Sequence, residues 1–185
     1  MVDTAARMKM NSLALTDHGN MFGAIEFYKQ CQKAGIKPIV GIETYIAPGS
    51  RIDKGRNEVG EAHVPESSFH LILIATNLDG YKNLIKLTSS AYLEGFYYKP
   101  RIDKELLSQH SKGLIGMSAC LKGEVPYFLR NDQPERARKA LGDYLDILGS
   151  ENFYIELMRL GLKGQETLNK NLVMLAQEFD IPVVA

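Results

Sequence analysis

The chain has 185 residues, 45% hydrophobic and 24% charged, a length and composition typical of one globular domain rather than a disordered segment. Its 22 basic residues balance its 22 acidic ones, which argues against a free-standing basic nucleic-acid binder. Two cysteines cannot form a disulfide framework and no apolar run reaches about 18 residues, so we exclude secreted and membrane proteins and expect a cytoplasmic location without membrane contact.

Apolar runs and helical patterns alternate along the chain. After a helix tail near the start, strands are predicted at residues 12–16, 37–47, 71–75, 114–118, 153–157 and 183–185. Helices are predicted at residues 21–34, 78–93, 104–109, 134–148 and 165–179. Gly35 and Asn77 are predicted as cap residues. The remaining features are a polar surface loop over residues 48–68 and a turn at Cys120–Glu124.

These strands predict an α/β fold with a parallel sheet. The strands are short apolar runs without period-two alternation, and helices occupy most of the intervals between them, as in parallel sheets covered on their faces. A barrel and a doubly wound sheet both fit this pattern. In both architectures the functional groups are expected at the C-terminal ends of the strands.

Both ends of the chain read as interrupted elements. The first ten residues resemble the tail of a helix, and the chain stops inside the apolar strand at residues 183–185. Because a domain rarely ends within a central strand, we expect a piece of a longer protein, cut on both sides.

Polar residues occur where the strand-end rule places a site. Asp17 and His18 follow the first strand, Glu43 lies in the second half of the next strand, Cys120 follows the fourth, and Glu156 lies in the fifth. A histidine, a carboxylate and a thiol that converge would form a metal site suited to zinc or manganese. Asp17 could supply the carboxylate that orients an imidazole ligand.

Each of these residues also has a structural interpretation. His18 fits a turn residue, Cys120 a small hydrophobe, and Glu156 an ion-pair partner of Arg159. The chain contains no HxxxH, CxxC or Gly-rich phosphate loop, so the residue spacing leaves the metal site open. Three other candidates are interpreted as buried or solvated residues: Cys31 as buried, His63 and His110 as solvated.

Eight segments of the chain, taken in order, carry a resemblance to a known protein family. They are Leu13–Gly23, Ala34–Glu43, Phe69–Ala75, Gly80–Leu84, Gly95–Asp103, Ser118–Glu124, Phe153–Leu157 and Ile181–Ala185. In this order they resemble the PHP (polymerase and histidinol phosphatase) family, and within it the branch found in bacterial replicative DNA polymerases. The resemblance covers nearly the whole chain.

The resemblance implies a distorted (β/α)7 TIM-like barrel with a trinuclear metal centre at the C-terminal ends of its strands. The family's opening His-x-His motif and closing Asp-x-His motif are absent, so residues 1–185 are expected to form one partial PHP domain that lacks the first strand and the last loops. Of the metal ligands that the resemblance implies, four lie in this chain: His18, Glu43, His70 and Cys120. No catalytic residue is implied beyond the metal site. Asp17, which belongs to the same motif as His18, and Glu156, which lies in the fifth strand, are expected to take supporting positions behind the ligands. Only the resemblance nominates His70, which stands at the start of a predicted strand.

The family also implies an activity and partners. A Zn²⁺ or Mn²⁺ cluster would hydrolyse phosphodiesters, as 3′→5′ exonuclease proofreading in the intact domain, whereas this piece alone is expected to be inactive. The parent would be a DNA-directed DNA polymerase with Mg²⁺ at a polymerase site outside this chain, bound to a DNA primer 3′ end and to other replisome subunits. Two alternatives stay open. One is a silent structural module that docks a separate exonuclease subunit, and the other is a stand-alone phosphoesterase such as a histidinol phosphatase.

Residues that could contact substrate or DNA form two groups. Tyr98, Lys99 and Arg101, with Tyr97, make an aromatic and basic cluster suited to stacking bases and meeting phosphates. Its alternative interpretation is a partly buried loop that covers the barrel. Lys122 and Arg159 lie near strand ends and could hold a substrate phosphate. The basic residues of the 49–68 loop are offset by acidic ones and are interpreted as a solvated face: Arg51, Lys54 and Arg56.

Overall fold

The structure, a computed structural model, describes residues 1–54, 58–59, 62–63 and 68–185, with the backbone alone at residues 58–59 and 62–63. The helices are α1 Val2–Arg7, α2 Ala24–Ala34, α3 Leu78–Leu93, α4 Lys104–Gln109, α5 Glu124–Arg130, α6 Pro134–Leu148 and α7 Gln165–Glu178. The strands are β1 Ser12–Leu15, β2 Lys37–Ile46, β3 Glu58–Val59, β4 Ala62–His63, β5 Phe69–Ala75, β6 Arg101–Ile102, β7 Leu114–Met117, β8 Phe153–Glu156 and β9 Val183–Val184.

Strands of the main sheet follow one another in chain order, β1-β2-β5-β7-β8-β9, with β6 paired to the end of β2. A doubly wound sheet would reverse its order at a switch point, whereas a barrel adds each strand beside the previous one. The curled sheet is therefore a partial barrel, which decides between the two architectures that the sequence allowed. β3 and β4 form a separate hairpin.

One strand of this sheet runs against the others. β5 is antiparallel to β2 and to β7, whereas β1 with β2, β7 with β8, and β8 with β9 are parallel. The prediction of an all-parallel sheet was therefore wrong for β5. A parallel pair needs a crossover connection, usually a helix, and the polar stretch between β2 and β5 carries no helical pattern.

The helices cover the sheet and bury two apolar clusters. The larger cluster joins β2, β5, β7 and β8 to helices α3 to α7 and includes the fully buried Phe69, Leu73 and Phe153. The smaller one joins α1 to α2 and contains Phe27 and Cys31, which has no exposed surface, as predicted. Within the described residues no helix has the length and apolar character needed to cross a bilayer.

Sequence signals such as helix caps predicted most of the helices and strands, and two elements were missed. The Asn77 side chain accepts a hydrogen bond from the Gly80 N–H and caps α3, and Gly35 ends α2 at φ +70°, both as predicted. Helix α5 begins where only a turn was predicted, and the two-residue strand β6 was missed. His110 is half-buried where α4 ends rather than solvated.

Candidate metal centre

Two strands bring Glu43 and His70 to the same edge of the sheet. Because β5 runs antiparallel to β2, its first residues lie beside the last residues of β2, and His70 pairs directly with Tyr45. Residues two apart on a strand share a face, so Glu43, Tyr45 and His70 point to the same side. The first residues of the antiparallel strand β5 thus lie at the edge of the sheet where the parallel strands have their C-terminal ends. That edge is where the functional groups were expected.

His18 reaches the same edge by an extension of the β1–β2 pairing. The Glu43 N–H donates to the Asp17 carbonyl at 3.0 Å, and the Gly19 N–H donates to the Glu43 carbonyl at 2.9 Å. Gly19 has φ +68°, and a Cβ there would lie 2.9 Å from both the Pro100 and Tyr45 side chains. The tight turn after His18 therefore needs glycine, and it fixes His18 beside Glu43.

The side chains converge on the Glu43 carboxylate. Glu43 Oε1 lies 2.5 Å from His70 Nδ1 and 3.4 Å from His18 Nε2. One ligand atom from each of these three residues falls within 4.8 Å of the other two. This separation suits donors that share one cation, since zinc holds its ligands at about 2.0–2.3 Å.

Cys120 lies next to this group. Its Sγ atom is 3.7 Å from His70 Nδ1 and 4.0 Å from Glu43 Oε1. The loop after β7 is held by two backbone hydrogen bonds, from the Gly123 N–H to the Cys120 carbonyl and from the His70 N–H to the Lys122 carbonyl, both 2.9 Å. The structure thus brings together all four residues that the resemblance nominated as ligands.

The charges of the cluster are mutually stabilised. Burial alone would raise the pKa of Glu43, but the hydrogen bond from His70 and the charges of His18 and His70 lower it. Burial would lower the pKa of His70, but hydrogen bonds to Cys120 and Glu43 raise it to about 9. The pKa of Cys120 is lowered against the effect of burial, chiefly by its hydrogen bond to His70. A proton on His70 is thus stabilised by Cys120 and by the Glu43 carboxylate.

The donor set fits a divalent cation. Imidazole nitrogens, a carboxylate and a thiol are the groups that bind zinc, and imidazole and carboxylate also suit manganese. Among the described residues, buried His70 Nε2 has no hydrogen-bond partner in the protein. Buried polar atoms are normally paired, and a metal-binding histidine usually gives its other ring nitrogen to a carboxylate, as His70 Nδ1 does to Glu43. The pattern of one paired and one unpaired ring nitrogen is therefore that of a ligand.

Asp17 and Glu156 take different places behind the cluster. Asp17 holds the site through its backbone carbonyl, which accepts the Glu43 N–H. Glu156 Oε2 is buried without a hydrogen-bond partner, and burial together with the charge of Glu43 raises the pKa of this carboxyl. Within the described part of the chain Glu156 makes no ion pair with Arg159, so that alternative is wrong.

Metal affinity is expected to rise with pH up to about 9, where the His70 pKa lies. A metal that binds this imidazole must displace its proton, and one displaced proton changes the affinity about tenfold per pH unit. Titration of the metal-free chain with Mn²⁺ at pH 6.5, 7.5 and 8.5 measures this slope. An affinity that does not change over this range would show that His70 is not protonated in the free site.

The aromatic and basic cluster divides into exposed and buried members. The Tyr98 side chain is 81% exposed, and Lys99 is half-buried with Nζ 4.6 Å above the Tyr45 ring. Arg101 is 0% exposed, so the prediction that it contacts DNA was wrong. Its guanidinium donates to backbone carbonyls, including that of Asp53 at 2.7 Å. The alternative of a partly buried loop is correct for this residue.

The other predicted phosphate contacts are on the surface. Lys122 and Arg159 are both exposed, and the Lys122 carbonyl accepts the His70 N–H beside the cluster. Arg51 was wrongly interpreted as part of a solvated face. Its side chain is 14% exposed and binds Asp103 at 3.1 Å and Glu94 at 2.8 Å. Arg56 and the side chain of His63 lie outside the described residues.

The curled α/β sheet with a histidine, glutamate and cysteine cluster at one edge defines a barrel protein with a candidate metal centre. The chain belongs to the PHP domain family, whose model matches residues 1–160. Its backbone is similar to a solved structure from Bifidobacterium adolescentis described as a metal-dependent phosphoesterase. The TM-score is 0.56 at 11% identity, over 98% of this chain and 78% of that one. This similarity confirms the predicted incomplete TIM-like barrel.

Proteins with similar sequences include subunits of DNA polymerases. The chain is 46% identical over 185 residues to the DNA polymerase III subunit alpha of Borreliella burgdorferi and 45% identical over 174 residues to that of Thermus aquaticus. It covers 16% and 14% of those two proteins. The chain therefore spans a small part of the length of the curated relatives it matches.

Proposed function

We propose that this chain binds Zn²⁺ or Mn²⁺ with His18, Glu43, His70 and Cys120, and that it supplies a metal-dependent phosphodiesterase centre to a bacterial replicative DNA polymerase. The observation that carries the proposal is the approach of the His18, Glu43 and His70 ligand atoms to within 4.8 Å. The polymerase context is supported by relatives named DNA polymerase III subunit alpha. This context suggests the 3′ end of DNA as the substrate.

Exposure of the ligands defines the side from which substrate approaches. The His18 side chain is 59% exposed, whereas those of Glu43 and His70 are 13% and 7% exposed. Catalytic metal sites keep one position open, and here the open side is that of His18. A divalent ion held by these residues would supply polarisation of the phosphoryl oxygen and a lowered pKa of a water ligand. Glu43 and His70 hold the closed side and exclude water there.

The proposed reaction is hydrolysis at a DNA 3′ end. Water adds to the phosphorus of the terminal nucleotide and the bond to the preceding O3′ breaks. The water's oxygen stays on the released nucleoside 5′-monophosphate, and a proton from that water goes to the O3′ of the shortened strand. The surrounding partners in this proposal are the primer strand and other replisome subunits, in the cytoplasm. DNA synthesis, with its Mg²⁺, belongs to other parts of such a polymerase.

Replacing His18 by alanine in the full-length gene product is expected to reduce bound transition metal. We expect trimming of a 3′-labelled single strand, without nucleotides, to fall at least about 100-fold, because even supporting residues of metal sites are worth 10–100-fold. Metal content by mass spectrometry and the trimming rate measure the two effects. The matched control is His110→Gln at the end of α4, where both quantities should stay unchanged.

Two results would contradict the proposal. One is wild-type protein that holds no transition metal, and the other is trimming that His18→Ala leaves unaltered. Metal-free wild-type protein that forms a tight complex with an exonuclease subunit would instead support the docking-module alternative.

A further inference from the structure

An aromatic ring links the metal centre to the turn at residues 97–99. The Tyr45 ring lies 5.2 Å from the His70 ring and 6.4 Å from the His18 ring, between ring centroids. Lys99 Nζ lies over the same Tyr45 ring, 4.6 Å from its centroid. The Lys99 charge is therefore held one ring away from the ligands, at the edge of the candidate centre.

Tyr98, at the tip of this turn, has an uncommon conformation. Its φ is +58°, in the left-handed region that bulky residues avoid, and its side chain is 81% exposed. The ring contacts the Tyr97 ring edge to face, with centroids 4.6 Å apart. The chain thus maintains a strained backbone to present an aromatic face to solvent, and such strain clusters at functional sites.

Buried Arg101 packs against the base of this turn. Its Nε donates to the Gly95 carbonyl at 3.2 Å, and its guanidinium lies 5.1 Å from the centre of the Tyr97 ring. The Tyr97 N–H donates to the Lys99 carbonyl at 3.0 Å, which closes the turn. A Cβ on Gly95 would lie 1.9 Å from the Arg101 carbonyl oxygen, so the base of the turn is tightly packed. The base of the turn is therefore held by contacts that need no ligand.

We propose that the 97–99 turn is the strand-binding platform of the metal centre, a step that rests on the proposed function. An unpaired base at the 3′ end of single-stranded DNA stacks on the exposed face of Tyr98, and Lys99 meets a phosphate on the way to the ligands. An aromatic face suits single strands because their bases are unstacked and every base has a π-face. A rigid platform spares the ordering cost of binding. Arg101 is its positioning residue and does not touch DNA.

The first test is photo-crosslinking of the full-length gene product, in EDTA, to single-stranded DNA that ends in 5-iodouracil. We expect the crosslink to map to Tyr98, to disappear in Tyr98→Ala and to persist in Tyr98→Phe, which keeps the ring. His18→Ala should also keep the crosslink, because the platform does not need the metal. Crosslinking therefore reports on the platform separately from the reaction.

The second test uses the metal-loaded protein and the trimming reaction. Tyr98→Ala should raise KM for a single strand roughly 5- to 150-fold with little change in kcat, the range that one base stack is worth. Tyr98→Gly should raise KM equally without lowering the thermal midpoint, because glycine adopts φ +58° freely. Lys99→Met should reduce the slope of log affinity against log salt by about 0.7.

The outcomes separate the two proposals. A wild-type crosslink that maps elsewhere, or an unchanged KM in Tyr98→Ala, overturns the platform and leaves the metal-dependent reaction standing. A crosslink at Tyr98 in a protein that binds no metal supports the platform and overturns the proposed reaction.

Discussion

Replacing Gly123 by alanine is expected to cost the chain about 3 kcal/mol in free energy of unfolding, at the upper end of what an inserted methyl group costs. A Cβ at this position would lie 1.9 Å from the Ser118 carbonyl oxygen and 3.2 Å from that of Cys120. Both are backbone atoms, so the loop itself has to move. Movement of this loop carries Cys120 away from His70, and we expect metal affinity to fall at least about tenfold.

Urea denaturation measures the stability of the Gly123→Ala chain, and the cobalt–thiolate absorption band reports on Cys120. Gly142→Ala in α6 is the matched control, because a Cβ there meets nothing within 4 Å. Glycine inside a helix is less stable than alanine by about 0.5–1 kcal/mol, so the control should be slightly more stable than wild type. Equal behaviour of the two variants would contradict the crowding argument.

Lys104→Met is expected to destabilise the chain by about 3 kcal/mol, because it leaves the buried Glu124 carboxylate without its charged partner. The Glu124 side chain is 7% exposed and lies 2.9 Å from Lys104 Nζ, with Tyr144 donating a second hydrogen bond at 2.7 Å. Without Lys104 the carboxylate would stay buried with one neutral donor. Burial and the charge of Glu124 already raise the pKa of Tyr144, so this hydroxyl stays protonated.

A double variant separates charge from packing at this pair. Adding Glu124→Gln to Lys104→Met removes the unpaired charge and keeps an acceptor for Tyr144, so we expect most of the lost stability to return. Glu124→Gln alone should cost less than Lys104→Met, because Lys104 keeps Asp143 at 2.9 Å. Chemical denaturation of the wild type, the two single variants and the double variant completes this double-mutant cycle. Additive changes in the free energy of unfolding would rule out coupling between the two residues.

Two of the helices with local signals could be predicted from the sequence to the residue. Helix α3 begins after the Asn77 cap and α6 begins with Pro134 at its first turn, and both have the predicted bounds. Helix α5 has no such signal. Its residues Val125 to Phe128 are all buried, so it has no polar face and no helical period.

The sequence predicts those residues of the site that follow parallel strands, but not the one on the antiparallel strand. Glu43 and Cys120 follow from the strand-end rule, but His70 does not, since the direction of β5 depends on pairing with distant strands. A polar connection of residues 47–68 without helical pattern is the one sequence signal for that reversal. The burial of Arg101 is equally non-local, because its carbonyl partners belong to Gly95, Arg51 and Asp53.

The unequal burial of the two thiols has a chemical consequence. Cys31 has no exposed surface and burial raises its pKa, so it is neither accessible nor ionised near neutral pH. Cys120 is partly exposed, and its pKa is lowered by His70. Peroxide and alkylating agents react with accessible thiolates. Of these two thiols, Cys120 is therefore expected to be oxidised first, beside His70 and Glu43, while the packing around Cys31 stays intact.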